Sequence, residues 1–150
     1  YVMVRGSYLI GCRVSELCRL RWQDIERLDN GGQIHLLGKG NKPRTIRVSV
    51  ATLELFESLG RGEPEDWLFP SNRREGPMTR QAIAARMARW GKEAGVRLYP
   101  HRCRHTHATN AVRAGTSLFV LQATLGHSSS ATTGHYVAAN PEDSSSLRLG

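Results

Sequence analysis

The feature that most constrains the fold is a pair of alternating apolar runs joined by a tight basic turn. In "IHLLGKGNKPRTIRVSV", Ile34 and Leu36 alternate, and Ile46, Val48 and Val50 do the same further on. Alternation aligns side chains on one face of an extended chain, and Gly38-Lys39-Gly40-Asn41-Lys42-Pro43 between the runs is turn chemistry. The stretch therefore predicts a β-hairpin with a basic tip. Elsewhere apolar residues recur at helical spacing. "RVSELCRLRWQDI" places Val14, Leu17, Leu20 and Ile25 in helical register, with Ser15 and Glu16 where helix starts favour them. "VATLELFESLG" reads as a short helix stopped at Gly60, and "RGEPEDWLFPSNRREGP" as a loop. A helix opens at Thr79, presents Ile83, Met87 and Trp90 on one face, and closes near Gly95. Another begins near Pro100 and stops at Gly115, and a third stops at Gly126. "SSATTGHYVAA" reads as a short serine-capped helix, and "NPEDSSSLRLG" as a polar, mobile tail. The sum is a mainly α fold (α+β), helical with a small antiparallel β-hairpin or sheet. The opening "YVMVRGSYLIG" reads as the tail of an apolar helix without a lead-in, so the expectation is a domain excised from a longer protein.

Length and composition narrow the class. The 150 residues suffice for one domain with a core, and no apolar run approaches the ~18 residues that span a membrane. No secretory leader is legible at the start. The three cysteines, Cys12, Cys18 and Cys103, are too few and too irregular for a disulfide framework or a zinc knuckle, which favours a reducing compartment. Twenty-one Lys and Arg against 13 acids give a net charge of +8, and arginine dominates. Its planar fork suits phosphate, so a polyanionic partner, nucleic acid before membrane, is expected.

Several residues could carry chemistry, each weakly alone. His101 and Arg104 share a helix face at i, i+3, and His105 lies at i+4 from His101. Two histidines so spaced could ligate zinc, but a zinc site needs a third protein ligand, and none of the standard motifs is present. They could equally be solvated, or Arg104 could grip a phosphate while His101 moves a proton. Arg13 stands at a helix start, where a cation opposes the helix dipole unless an anion binds there, and Glu16 one turn on could hold it. Lys39 sits between two glycines at the hairpin tip, where a backbone can approach a ligand closely.

The order of these features is more informative than any one of them. Arg13, Lys39, His101-x-x-Arg104, His127 and Tyr136 resemble, in that order, the active-site set of the tyrosine recombinases, the phage-integrase family. "GCRVSEL" is similar to the family's Gly-x-Arg-x-x-Glu-Leu box, "LLGKGNKPRTIRV" to its lysine hairpin, and "YPHRCRHTHAT" to its Pro-His-x-x-Arg-His box. "LGHSSSATTGHY" resembles its Leu-Gly-His segment, with a tyrosine nine residues past the histidine. The likeness covers nearly the whole chain and is nearest to the Xer-like branch.

The resemblance implies a site-specific recombinase or integrase that cleaves and rejoins DNA through a 3′-phosphotyrosyl link, with no metal and no cofactor. Tyr136 would be the nucleophile, Arg13 and Arg104 the phosphate clamp, and Lys39 the general acid. His101 would accept the tyrosyl proton, His127 would hydrogen-bond the phosphate, and Glu16 would orient. Lys42, Arg44 and Arg80 are expected against DNA. The partner would be double-stranded DNA, with a tetramer on DNA for the full-length protein and a monomer for the isolated domain. The N-terminal DNA-gripping domain usual in the family lies outside residues 1–150. The setting would be the cytoplasm of a prokaryote, with the protein host- or phage-encoded. Three departures stand out. Cys103 and His107 occupy positions often aliphatic or aromatic in the family, and His107 is expected to loosen its helix. His135, about 100° round a helix from Tyr136, is expected to take no part. The tail offers only Leu147 and Leu149 for docking on a neighbouring subunit. Two other functions remain open at this stage: a type IB topoisomerase, and an inactive DNA-binding remnant of a mobile element.

Overall fold

The computed structural model describes residues 1–126 and 144–149. Helix α1 spans Val2–Ile10 and stops at Gly11, whose φ of 58° disfavours any residue with a Cβ. A Cβ at Gly11 would also lie 2.8 Å from His107 Cδ2 and 2.9 Å from Leu125 Cδ2. The glycine thus ends α1 and lets later helices close on its last turn.

The helix expected from Arg13 through Ile25 is shorter. It forms α2, Val14–Arg19, after which Leu20 is extended and a 3-10 turn covers Trp22–Asp24. The cause lies far along the chain, at residues 64–68. Leu68 donates its N–H to Leu20 O at 2.8 Å, while Trp22 and Gln23 donate theirs to Asp66 O at 3.1 Å and Pro64 O at 2.8 Å. The Arg21 guanidinium stacks 4.0 Å from the centroid of the Trp67 ring. Backbone groups that a helix would satisfy internally are satisfied across the loop instead.

Ile25 therefore opens a strand. β1 (Ile25–Leu28), β2 (Gly31–Leu37) and β3 (Pro43–Val48) form an antiparallel sheet in the order β1-β2-β3. The expected hairpin is its β2–β3 half, joined by a 3-10 turn at Lys39–Asn41. Ile25 faces Ile34, and Ile34 faces Ile46, a buried row across all three strands. Val50 does not continue β3 as its alternation predicted. Ser49 Oγ accepts the Thr52 N–H at 3.2 Å and starts α3, Val50–Glu57.

Three further helices match the punctuation of the sequence. Thr79 caps α4 (Arg80–Glu93), Pro100 occupies the first turn of α5 (Pro100–Arg113), and Ser117 caps α6 (Leu118–Leu125). The inner face of the sheet, α1, α2, α3 and α4 enclose one core in which Ile10, Leu17, Ile34, Ile46, Leu53, Phe56, Ile83 and Met87 are all buried. Burying each such side chain contributes about 1.5–3 kcal/mol.

The tail from Ser144 to Leu149 is not loose. Ser144, Ser145 and Ser146 are buried, and a 3-10 turn at Ser145–Arg148 packs between α5, α6 and β3. Nor does His107 loosen α5. It is fully buried, its Nδ1–H donates to Tyr8 O at 2.8 Å, and its Nε2 accepts from Ser145 Oγ at 2.7 Å. A carbonyl can only accept, so Nδ1 carries a proton, and the neutral ring that burial favours leaves Nε2 as the acceptor.

Candidate active site

Arg13 is the N-cap of α2, and Glu16 explains how it tolerates that place. The Glu16 carboxylate accepts the Arg13 backbone N–H at 2.6 Å and the Arg13 guanidinium at 3.2 Å. A second arginine grips the same carboxylate more fully. Arg44 Nη1 donates to Glu16 Oε1 at 2.6 Å and Arg44 Nη2 to Oε2 at 2.9 Å. Burial alone would raise the Glu16 pKa, but the Arg44 hydrogen bonds, the Arg13 amide and the two guanidinium charges outweigh it and hold the carboxyl below its ordinary value.

Arg104 enters from α5. It is buried, and donates from Nη1 to Gly11 O at 2.7 Å and from Nη2 to Leu125 O at 2.8 Å. Burial first, and then the neighbouring Arg13 charge, lower its pKa to about 10, so it stays a cation at neutral pH. Three arginines thus hold three successive carbonyls at the end of α6: Arg44 Nε donates to Thr124 O at 2.9 Å, Arg104 to Leu125 O, and Arg13 Nη2 to Gly126 O at 3.2 Å. Cations are favoured at that negative helix pole. Gly126, at φ 64°, turns the chain out of α6, directly into residue 127.

Two open clefts meet at Arg13. One, of about 370 Å³, is lined by Arg13, Arg104, His101, Cys12 and Pro100 among others. The other, of about 480 Å³, is lined by Arg13, Ser15, Arg19 and the hairpin-tip residues Gly38, Gly40 and Asn41. The fold therefore brings Arg13, Glu16, Arg104, His101 and the backbone of the Lys39 turn into one region. His101 is exposed on the first turn of α5. Cys12 is no rival nucleophile, since burial, with Glu16 adding, pushes its thiol up to about 12. Among the described residues no three His, Cys, Asp or Glu side chains converge as a metal site requires. His127, His135 and Tyr136 lie outside the described residues.

The residues expected against DNA divide. Lys42 and Arg80 are exposed, at the hairpin tip and at the start of α4. Arg44 is turned inward, its side chain only 11% exposed. A period-2 reading could have found this. Arg44 shares the parity of Ile46 and Val48 and faces the buried Leu36 across the sheet, so it belongs to the core-facing row. The Thr124, Leu125 and Gly126 carbonyls carry no sequence signal of their own, because any residue supplies one.

A mainly helical domain with a three-stranded sheet, and an arginine cluster fed by helix starts and a hairpin, defines a class. The phage integrase family model matches residues 1–143, and the chain belongs to that family. Among its relatives, tyrosine recombinase XerC of Haemophilus ducreyi is 35% identical over 140 residues, covering 89% of this chain and 45% of the relative. The chain spans about half the length of the curated relatives it matches. The integrase from mycobacterium phage Brujita shares the fold at a TM-score of 0.75 and 21% identity, over 100% of this chain and 52% of that one. The XerH site-specific recombinase bound to its difH substrate in a pre-cleavage complex shares it at 0.72 and 23%, over 85% of this chain and 39% of that one. Among the described residues no helix is long and apolar enough to cross a membrane.

Proposed function

We propose that residues 1–150 are the catalytic domain of a longer site-specific recombinase or integrase that cuts and rejoins double-stranded DNA. The observation that carries this reading is an excess of guanidinium. Arg13, Arg44 and Arg104 gather around Glu16, and of the two that line the cleft, the charge of Arg13 works against that of Arg104. A phosphodiester entering there relieves that repulsion.

The residues then take the following parts. The Tyr136 phenol attacks the phosphorus in line, forming a P–O bond to the protein and breaking the bond to O5′. The electron pair leaves on O5′, and Lys39 supplies its proton. His101 takes the phenolic proton. Arg13 and Arg104 hold the non-bridging oxygens where charge develops, as a metal ion does in other phosphoryl transfers. His127 adds a hydrogen bond, and Glu16 keeps Arg13 aimed. The phosphotyrosyl link preserves a phosphodiester, so rejoining requires no nucleotide. Lys42 and Arg80 steady the DNA backbone. The full-length protein acts in the cytoplasm on nucleoid DNA, adds an N-terminal DNA-gripping domain, and assembles as a tetramer on its sites. Kinship with the tyrosine recombinases, and with a transposon integrase solved in complex with circular intermediate DNA, supports DNA as the partner.

The test is a nicked suicide substrate, on which a cleaved end diffuses away and traps the covalent intermediate. The full-length protein is expected to form an adduct mapped to Tyr136, and Tyr136→Phe to form none. An adduct that survives this substitution would overturn the proposal.

A further inference from the structure

Arg44 is the most fully engaged cation of the cluster, and the steps above do not use it. Its three kinds of nitrogen all have partners: Nη1 and Nη2 on the two oxygens of Glu16, and Nε on the Thr124 carbonyl. It also touches both segments that lead into the reacting groups. A Cβ at Gly126 would fall 3.1 Å from its Cδ and Nη1, and one at Gly38 would fall 3.5 Å from Nη1. Gly38 is the residue before Lys39, and Gly126 the residue before His127. Glu16, held by the Arg44 fork, is itself bonded to the amide and the guanidinium of Arg13.

We infer that Arg44 is a positioning residue for phosphoryl transfer. Its guanidinium locks Glu16, through it aims Arg13, and ties the end of α6 to the hairpin that carries Lys39, without touching DNA. This rests on the function proposed above. A planar fork is required for the task. Lysine offers one nitrogen and cannot satisfy both carboxylate oxygens and a carbonyl in these directions. Misplacement of a reacting group by about 1 Å costs on the order of 10²-fold in rate.

The experiment uses the full-length protein on the suicide substrate, with single-turnover cleavage at saturating DNA and DNA affinity measured separately. Arg44→Lys is expected to lower the cleavage rate on the order of 10²-fold while affinity and its salt dependence stay at the wild-type values. Glu16→Gln removes the other half of the fork and gives a second route to the same answer should Arg44→Lys fail to fold. The double variant is expected to be no slower than the slower single variant, since both break one unit. Wild-type cleavage by either single variant would overturn the inference, as would additive losses in the double variant. A fall in affinity with a shallower salt slope would overturn it too, in favour of a direct DNA contact. If the unmutated protein forms no Tyr136 adduct, the proposed function fails, and this inference fails with it. If it does form one, only the behaviour of the variants bears on Arg44.

Discussion

Arg104 concentrates the physics of this protein in one side chain. Folding removes most of its surface from water and sets it near Arg13, and both effects work against its charge. What holds it are two backbone carbonyls at the ends of two helices, Gly11 O and Leu125 O, which accept from its guanidinium. Such a residue is poised for an anion. Inorganic phosphate is therefore expected to raise the melting temperature of the protein above that in chloride at equal ionic strength, by binding the folded state alone. Arg104→Ala is expected to abolish that increment and to lower DNA cleavage on the order of 10²–10³-fold, the loss seen when one donor to a developing anion is deleted. Differential scanning calorimetry checks the first outcome and the covalent-adduct assay the second. A phosphate increment that persists undiminished in Arg104→Ala would place the anion elsewhere.

At the scale of elements, much was legible and the failures have a common cause. The β2–β3 hairpin, α4 and α5 announce themselves through alternation, the Thr79 cap, Pro100 and the closing glycines, all local signals. Arg13, Glu16, Arg104 and His101 were expected as a set because family boxes keep their spacing, and the fold brings them to one region. What failed depends on distant partners. β1 replaced the end of a helix because residues 64–68 pair with residues 20–23. Ser145 in the tail is held in place because His107, 38 residues earlier, receives its hydroxyl. Arg44, expected against DNA, has its side chain inside, as its parity with Ile46 and Val48 requires. The tail contact has a testable pH dependence. Burial first, with the Arg104 charge adding, lowers the His107 pKa below its ordinary 6.5. The unfolded chain therefore binds the proton more readily than the folded one. The contribution of the neutral ring is fully present above pH 6.5 and is lost as pH falls from there through the lowered folded value. Melting temperature is expected to drop across this window in the wild type and to drop less in His107→Gln. Glu16, held below its ordinary 4.5, adds its own loss only as pH falls below that value.

For the whole molecule, DNA affinity depends on where the net charge of +8 is free to act. Some cations are engaged inside the protein: Arg44 and Arg104, both largely out of solvent, serve carboxylate and carbonyls. Others, among them Lys42 and Arg80, are exposed near the clefts that meet at Arg13 or on the elements beside them. Only the second kind can release counterions from DNA, and each phosphate contact contributes about 0.9 to the slope of log affinity against log salt. The two groups should therefore separate in a salt titration even though every member carries the same formal charge. Arg80→Gln is expected to weaken binding to any duplex and to reduce the magnitude of that slope by about 1. Arg44→Lys is expected to leave the slope unchanged, because its side chain lies inside. Fluorescence anisotropy with a labelled duplex, run at a series of salt concentrations for both variants of the full-length protein, measures the difference. Equal slopes for Arg80→Gln and the wild type would remove the start of α4 from the DNA-facing surface.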